Sequence, residues 1–154
     1  MIPSTTTRVQ ENTDEAINER ISRQTEDNVL RFAGAGKEQI NQRLRELDRE
    51  WDVERTLEAN AASLALLGLG LGAFVDRRLF VVPAIVAGFL LQHAVQGWCP
   101  PIPILRGLGI RTTSEIDSER YALKVIRGDF AKLPATDDQL GAHGIARVVE
   151  AVNR

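Results

Sequence analysis

Two long apolar stretches decide the fold of this chain: residues 59–75 (ANAASLALLGLGLGAFV) and residues 79–105 (LFVVPAIVAGFLLQHAVQGWCPPIPIL). Only Asp76, Arg77 and Arg78 separate them, and neither stretch contains a charge. A helix rises about 1.5 Å per residue, so the first stretch is about 25 Å long. That length is at the short end of what crosses a hydrocarbon core about 30 Å thick.

The second stretch is long enough for one crossing before prolines interrupt it. It runs for 20 residues up to Trp98, and Pro100, Pro101 and Pro103 then stop a regular helix. Residues 59–105 are therefore predicted to form a transmembrane hairpin. Its spans are expected at 59–75 and 79–98, joined by a tight charged turn.

Charge is distributed unevenly along the 154 residues, whose formal net charge is −2. Residues 59–105 contain three charges, whereas residues 1–58 contain 9 basic and 13 acidic residues, and residues 106–154 contain 8 and 7. A soluble amphipathic helix has a charged face, and neither apolar stretch has one. We therefore expect membrane lipid around the hairpin; the alternative is a buried helical hairpin in a soluble domain. No basic excess indicates nucleic-acid binding.

The basic residues that flank the two spans predict the orientation. Four precede the first span (Arg43, Arg45, Arg49, Arg55), four follow the second (Arg106, Arg111, Arg120, Lys124), and the turn has two. Basic residues are enriched on the cytoplasmic side of membrane proteins. Both termini are therefore expected in the cytoplasm. Residues 1–30 also lack the apolar core of a secretory signal.

Small residues line one side of each predicted span. They are Ala61, Ala65, Gly68 and Gly72 in the first span, and Ala84 and Gly88 in the second. The Gly68-x-x-x-Gly72 spacing is typical of membrane helices that approach closely. We expect these residues to pack the hairpin on itself or on a second copy, as a homo-oligomer. The alternative is the ordinary glycine richness of membrane helices.

Five polar side chains lie inside the predicted spans: Asn60, Ser63, Gln92, His93 and Gln96. In an antiparallel hairpin, the first two lie at about the depth of the two glutamines. We expect hydrogen bonds between these sets, because an unpaired amide in hydrocarbon is costly. His93 has no carboxylate in either predicted span, so we expect a neutral, hydrogen-bonded imidazole; a ligand or proton-relay role is the alternative.

The N-terminal arm is predicted to be disordered over residues 1–13 and helical over residues 14–58, with a break near Gly34-Ala35-Gly36. Apolar residues then recur at spacings of 4, 3 and 4: Ile40, Leu44, Leu47 and Trp51. This pattern indicates a short coiled coil or a helix that packs against a neighbour. Residues 37–58 are accordingly a candidate docking segment for a cytoplasmic protein partner. The alternative is a solvated amphipathic helix near the lipid headgroups.

The C-terminal arm, residues 106–154, is predicted to form amphipathic helices. The first begins near Thr113 or Ser114, whose hydroxyl groups can cap it, and ends before Gly128. Its basic residues are expected to be available for anionic headgroups: Arg120, Lys124 and Arg127. A capping box at Thr136-x-x-Gln139 predicts a second short helix, with an apolar side formed by Leu140, Ile145, Val148, Val149 and Val152.

Cys99 is the one candidate catalytic residue. Its thiol could accept sulfur if nearby positive charge lowered its pKa, and Arg106 is the nearest cation in sequence after it. The alternative is an inert cysteine beside the end of a helix. One Cys and two His exclude a disulfide framework and an intrachain Cys/His zinc site. We expect no metal and no cofactor.

Residues 51–111, which contain several of these motifs, resemble the YgaP-like inner-membrane transmembrane domain, a bacterial family of two-span modules. Three features carry the resemblance: Val53-Glu54-Arg55 before the first span, the minimal turn, and Gly97-Trp98-Cys99-Pro100 followed by Leu108-Gly109-Ile110. An apolar-aromatic pair is usual after the Cys-Pro of the family, and here Pro101-Ile102-Pro103 takes its place.

The resemblance implies an inner-membrane protein with cytoplasmic ends, often a dimer, whose relatives occur alone or joined to a sulfurtransferase domain. This chain has no second cysteine, and its arms are too short for such a domain. We therefore predict an all-α protein: a transmembrane hairpin flanked by amphipathic cytoplasmic helices. Its expected function is a non-catalytic membrane anchor or self-associating assembly module. Membrane-linked sulfur handling, through Cys99 or by passage of small anions, is the alternative.

Overall fold

The computed structural model describes residues 4–131, Ile145, residues 148–150 and Val152. All regular structure in this part of the chain is helical, which confirms the predicted fold class. The α-helices are α1 (Arg8–Glu11), α2 (Glu15–Phe32), α3 (Lys37–Leu47), α4 (Val53–Phe74), α5 (Val81–Gln96), α6 (Ile102–Gly107) and α7 (Thr113–Arg127), with a 3₁₀ helix at Arg77–Phe80.

The chain divides into two compact units. The hairpin unit consists of Met1–Ser22 and Trp51–Ser114, and the arm unit consists of Arg23–Glu50 and Glu115–Arg154. Because each unit takes residues from both sides of the hairpin sequence, the N-terminal and C-terminal arms are not separate bodies.

The beginning of the chain is ordered from the first described residues onward. Arg8–Glu11 form α1, and Val9 is buried in the hairpin unit. The predicted disorder of residues 1–13 is therefore wrong for residues 8–11, because Val9 has an apolar site to fill. Residues 1–3 lie outside the described part.

Helix α4 begins at Val53, six residues before the predicted span. Asp52 caps it: its Oδ1 accepts a hydrogen bond from the Arg55 backbone N–H at 2.8 Å. The Val53 N–H donates to the Arg111 carbonyl at 2.9 Å. The helix thus takes in a charged first turn, and its 22 residues extend for about 33 Å.

Local residues set both the turn between α4 and α5 and the position where α5 ends. Asp76 caps the 3₁₀ helix, since its Oδ1 accepts the Arg78 backbone N–H at 2.9 Å. At the other end, Gly97 has φ +76°, a left-handed conformation that suits glycine, and α5 stops at Gln96. The second span therefore ends two residues earlier than predicted. The prolines that follow it begin α6 instead of only ending a helix.

Two glycines of α4 are the points where the hairpin packs most closely. A Cβ at Gly68 would lie 2.7 Å from Pro83 Cδ, and one at Gly72 would lie 2.8 Å from Phe80 Cδ1. Only glycine permits this approach of the two helices. By contrast, nothing lies within 4 Å of a Cβ placed at Gly70 or Gly88.

The remaining small residues of the two spans are placed differently from one another. Ala61 is buried and Ala65 is half-buried on α4, whereas Ala84 and Gly88 are exposed on α5. Ala84 and Gly88, the small residues of α5, thus take no part in the closest contacts of the hairpin.

Apolar side chains cover the outside of the hairpin. Leu66 is 69% exposed and Phe74 is 92% exposed. Two helical segments, Val53–Phe74 and Arg77–Gln96, are long and apolar enough to cross a membrane. Only 22% and 6% of their apolar windows are buried inside the chain. Most of the apolar surface of these two helices is therefore not covered by the chain itself.

The apolar face predicted for residues 37–58 is largely covered by the chain itself. Ile40, Leu44 and Leu47 of α3 pack against Ile116 and Leu123 of α7 in the core of the arm unit. The neighbour of this helix is thus α7, because the two helices together exclude water from one apolar seam. Trp51 lies beyond the seam and is half exposed.

A buried carboxylate joins three helices of the arm unit. Glu119 of α7 accepts hydrogen bonds from Arg43 Nε at 2.8 Å and from Asn28 Nδ2 at 3.2 Å. Its side chain is fully buried, so the cation and amide replace the water that it loses. The partnership also raises the pKa of Arg43, against the lowering effect of burial.

The basic residues of α7, which were expected to be available for anionic headgroups, have partners within the arm unit. Arg120 Nη1 lies 2.6 Å from Asp48 Oδ1, and Lys124 Nζ donates to the Val152 carbonyl at 2.6 Å. Arg127 pairs with Asp129.

The helix bounds of this region follow local signals. Helix α7 runs from Thr113 to Arg127, and Gly128, with φ +89°, follows it, as predicted. Of the predicted last helix, Thr136, Gln139 and Leu140 lie outside the described residues. Its other apolar positions are helical: Ile145, Val148, Val149 and Val152.

Replacing Gly68 with Leu is expected to destabilise the hairpin by about 1–3 kcal/mol, because a larger side chain overpacks the contact with Pro83. Gly70→Leu adds the same atoms to an open position, so its effect should stay within about 0.5 kcal/mol. Unfolding by SDS in mixed micelles, followed by circular dichroism, measures both variants. Equal losses would contradict the close approach at Gly68.

Candidate functional site

Three ionisable side chains meet at the end of the hairpin where α4 begins and α5 ends. Glu54 Oε2 lies 2.7 Å from His93 Nε2, and Glu54 Oε1 lies 2.9 Å from Arg8 Nη2. We call Arg8, Glu54 and His93 the base cluster. His93 is 4% exposed, and Glu54 is one-third exposed.

Three different helices position the base cluster. Glu54 lies in the first turn of α4, His93 in the last turn of α5, and Arg8 at the start of α1. The antiparallel packing of α4 on α5 brings the first two together, although 39 residues separate them in sequence. Because α4 begins six residues before the predicted span, it includes Glu54 and supplies the carboxylate that the predicted spans lack.

The two nitrogens of the His93 ring have different surroundings. A carboxylate oxygen accepts the hydrogen bond from the ring, so the ring donates to Glu54 through Nε2. The other ring nitrogen, Nδ1, is buried without a hydrogen-bond partner in the described part of the chain. Glu54 also accepts a hydrogen bond from Arg8, whose guanidinium stays charged.

Helix α1 closes the base of the hairpin. Asn12 Nδ2 donates to the Gln96 carbonyl at 3.0 Å, which satisfies one of the free carbonyls at the end of α5. A Cβ at Gly97 would lie 2.6 Å from the Arg8 carbonyl oxygen, so α1 and the end of α5 touch through backbone atoms. Val9 completes the contact from inside the apolar cluster.

Cys99 belongs to this same apolar cluster. It is 3% exposed and packs with Val53, Leu57, Ile102 and Val9. Burial raises the pKa of the Cys99 thiol above its ordinary value. This is the opposite of the shift that a sulfur-accepting thiolate needs, and the site therefore keeps the thiol protonated.

Arg106, the cation nearest to Cys99 in the sequence after it, is used elsewhere. Its Nη2 donates to Asn18 Oδ1 at 2.8 Å, and its Nη1 donates to the Ile110 carbonyl at 3.1 Å. The side chain is fully buried among these groups. Its role in the described contacts is to join α2 to the segment after α6.

The other polar residues of the predicted spans do not form the expected bonds between helices. Asn60 Nδ2 donates to the Thr56 carbonyl at 2.8 Å, and Ser63 Oγ donates to the Ala59 carbonyl at 2.7 Å. Each residue thus bonds to its own helix, one turn earlier.

The register of the hairpin explains this outcome. Gly68 lies against Val82 and Pro83, and Glu54 meets His93. Asn60 and Ser63 lie between Glu54 and Gly68 in α4. They are therefore level with residues of α5 that precede His93. Gln96 lies further along, where its carbonyl contacts α1 instead.

Sequence reasoning missed Arg8, Asn12 and Glu54. The available signal was Asp52, a preferred capping residue directly before an apolar one, which marks a helix start at Val53. That start would have included Glu54 in the span. No comparable signal pointed to Arg8 or Asn12, because their partners are distant in sequence.

The chemistry of the base cluster is that of a structural ion pair. Within the described part of the chain, no group of three or more His, Cys, Asp or Glu side chains could hold a metal ion. The cluster contains no nucleophile, and the nearby thiol of Cys99 is buried in apolar surroundings. What the arrangement can do is connect α1, α4 and α5 at one end of the hairpin.

Glu54→Ala is expected to lower stability by about 1–3 kcal/mol, because it removes charge-assisted hydrogen bonds to Arg8 and to the buried His93. Glu58→Ala is the matched control: it lies one turn later on α4, is exposed, and should change stability by less than about 0.5 kcal/mol. The SDS titration measures both variants. An unchanged midpoint for Glu54→Ala would contradict the bridging role.

The thiol of Cys99 is expected to react with maleimide at least about tenfold more slowly in the folded protein than in SDS, because it is buried and protonated. Its alkylation rate should rise only at a pH above that of an ordinary exposed thiol, the direction that a raised pKa requires. Mass spectrometry of time points measures the rate. Rapid labelling of the folded protein at pH 7 would contradict this environment.

Comparison with known proteins adds no relative to this description. No protein-family model, no curated protein and no solved structure matches the chain.

Proposed function

We propose that this chain is a small bacterial inner-membrane protein that uses the α4–α5 hairpin as a non-catalytic anchor. One observation carries the proposal: both candidate spans expose their apolar side chains around the helix. Only 22% and 6% of their apolar windows are buried. Such a surface is costly in water and is stable when lipid surrounds it.

The dimensions of the hairpin support the same proposal. The 22 residues of α4 extend for about 33 Å, close to the thickness of a hydrocarbon core. Trp51 lies two residues before α4 and Trp98 two residues after α5, so both mark the same end of the hairpin. They are 49% and 37% exposed. Half-exposed tryptophans are typical of the membrane interface.

The charged flanks favour cytoplasmic termini. Eight basic residues lie close to the hairpin, at residues 43–55 and 106–124, and two lie in the turn. Under the positive-inside rule, the base of the hairpin then faces the cytoplasm and Asp76-Arg77-Arg78 faces the opposite side. The arm unit is accordingly a cytoplasmic body.

We further propose that the hairpin is a YgaP-like module. Its two sequence signatures, Val53-Glu54-Arg55 and Gly97-Trp98-Cys99-Pro100, lie at the same end of the hairpin. Val53 and Cys99 share one buried cluster, and Glu54 binds the last turn of α5. A common role in closing the base of the hairpin would account for the two signatures.

Self-association is the second part of the proposal. Gly68 packs against α5 and Gly72 against Phe80 of the 3₁₀ helix in the same hairpin, which leaves Ala84 and Gly88, both exposed on α5, for a second copy. A cytoplasmic protein partner of residues 37–58 would have to use surface outside the seam of Ile40, Leu44 and Leu47, since α7 covers that seam. Sulfur handling has no supporting observation, because Cys99 is buried.

A charge placed on the lipid-facing side of α4 tests the anchor directly. Leu66→Arg is expected to reduce the carbonate-resistant membrane fraction strongly, since a charge at the centre of a span costs about 2.5–3.5 kcal/mol on insertion. Leu30→Arg is the matched control: Leu30 and Leu66 are both 69% exposed, but Leu30 lies in α2.

The measurement is carbonate extraction of membranes, followed by immunoblotting of pellet and supernatant. A membrane anchor predicts that the wild type and Leu30→Arg stay in the pellet while Leu66→Arg is released or degraded. A soluble hairpin predicts that all three proteins stay in the supernatant, and that result would refute the proposal.

A further inference from the structure

The turn of the hairpin carries two exposed cations. Arg77 and Arg78 are exposed, and neither side chain forms an ion pair within the part of the chain that the structure describes. Other arginines are used differently: Arg8, Arg43 and Arg120 each hold a carboxylate at 2.9 Å or less.

The one acid of the turn does not neutralise these arginines. Asp76 directs Oδ1 to the backbone N–H of Arg78, at 2.9 Å, where it caps the 3₁₀ helix. Neither Asp76 oxygen forms an ion pair with the guanidinium group of Arg77 or Arg78. The turn thus keeps a net positive charge, and no carboxylate among the described residues pairs with its guanidinium groups.

The surroundings of the two arginines are apolar and exposed. Phe74 is 92% exposed, Val75 72% and Phe80 43%, and all three lie within a few residues of Arg77 and Arg78. The combination of guanidinium groups and uncovered aromatic rings at the end of a span is amphipathic. It suits the boundary where lipid phosphates meet acyl chains.

We propose that Arg77 and Arg78 bind the phosphate of an anionic glycerophospholipid in the leaflet opposite the termini. This proposal depends on the anchor proposed above. Guanidinium groups bind phosphate oxygens in a bidentate manner, and Phe74 and Phe80 contact the acyl chains below. The lipid is anionic because the ammonium of a zwitterionic headgroup would be repelled by the positive turn.

Native mass spectrometry of the full chain from nanodiscs containing equal amounts of phosphatidylglycerol and phosphatidylcholine tests this proposal. The wild type should retain phosphatidylglycerol over phosphatidylcholine by about fivefold or more. Arg77→Gln/Arg78→Gln should lose most of this preference. Arg77→Lys/Arg78→Lys keeps the charge without the bidentate geometry and should retain an intermediate preference.

Arg45→Gln/Arg49→Gln is the control. It also removes two positive charges, but from the segment before α4, and it should keep the wild-type preference for phosphatidylglycerol. Equal loss in both glutamine variants, or retention in Arg77→Gln/Arg78→Gln, would overturn the proposal. Inorganic phosphate at millimolar concentration should not displace the bound lipid; displacement would assign the turn to free phosphate and overturn it as well.

A flotation experiment distinguishes failure of the proposed membrane anchor from failure of the proposed lipid binding. If the wild-type chain does not float with vesicles of the same composition, the hairpin is not inserted, and the anchor itself is refuted. If it floats but has no phosphatidylglycerol preference, only the lipid assignment fails. Flotation of Arg77→Gln/Arg78→Gln alongside the wild type establishes that both proteins are compared in the inserted state.

Discussion

The close approach of α4 to α5 at Gly68, and to the 3₁₀ helix at Gly72, is the constraint on which the hairpin depends. A side chain at either position would occupy the space of Val82, Pro83 or Phe80. Because this contact sets the register of two antiparallel helices, it also decides which residues meet about 20 Å further along, at the base. Glu54 reaches His93 for this reason, and the bond in turn holds the open end of the hairpin together.

The two units are stabilised in different ways. In the arm unit, apolar side chains of α3 and α7 cover one another, and the buried Glu119 is satisfied by Arg43 and Asn28. In the hairpin unit, a buried apolar cluster lies only near the base, and most of the span surface stays uncovered. The two units therefore differ in where their apolar surface lies: it is buried between helices in the arm unit and exposed along α4 and α5 in the hairpin unit.

Features set by local chemistry could be predicted from the sequence. The all-helical fold, the apolar spans with a charged turn, the start of α7 at Thr113 and its end before Gly128 all follow from residues that are close in the chain. Capping, glycine conformation and hydropathy act over a few residues, so a single sequence displays them. Asp52 also indicates that α4 begins at Val53. The predicted span began at residue 59 instead, because the charge-free stretch begins there.

Features set by distant contacts required the tertiary structure. Residues that are close in the chain are enough to specify two long apolar helices, a charged turn, charged helical arms and a glycine pair suited to close packing. Contacts between distant segments place Gly68 against α5 and Gly72 against the 3₁₀ helix, cover the apolar face of α3 with α7, and bring Glu54 to His93 and to Arg8 of α1 at the base. The physical reason is register: a helix exposes several faces, and the neighbour that each face meets depends on how far the helices slide past one another.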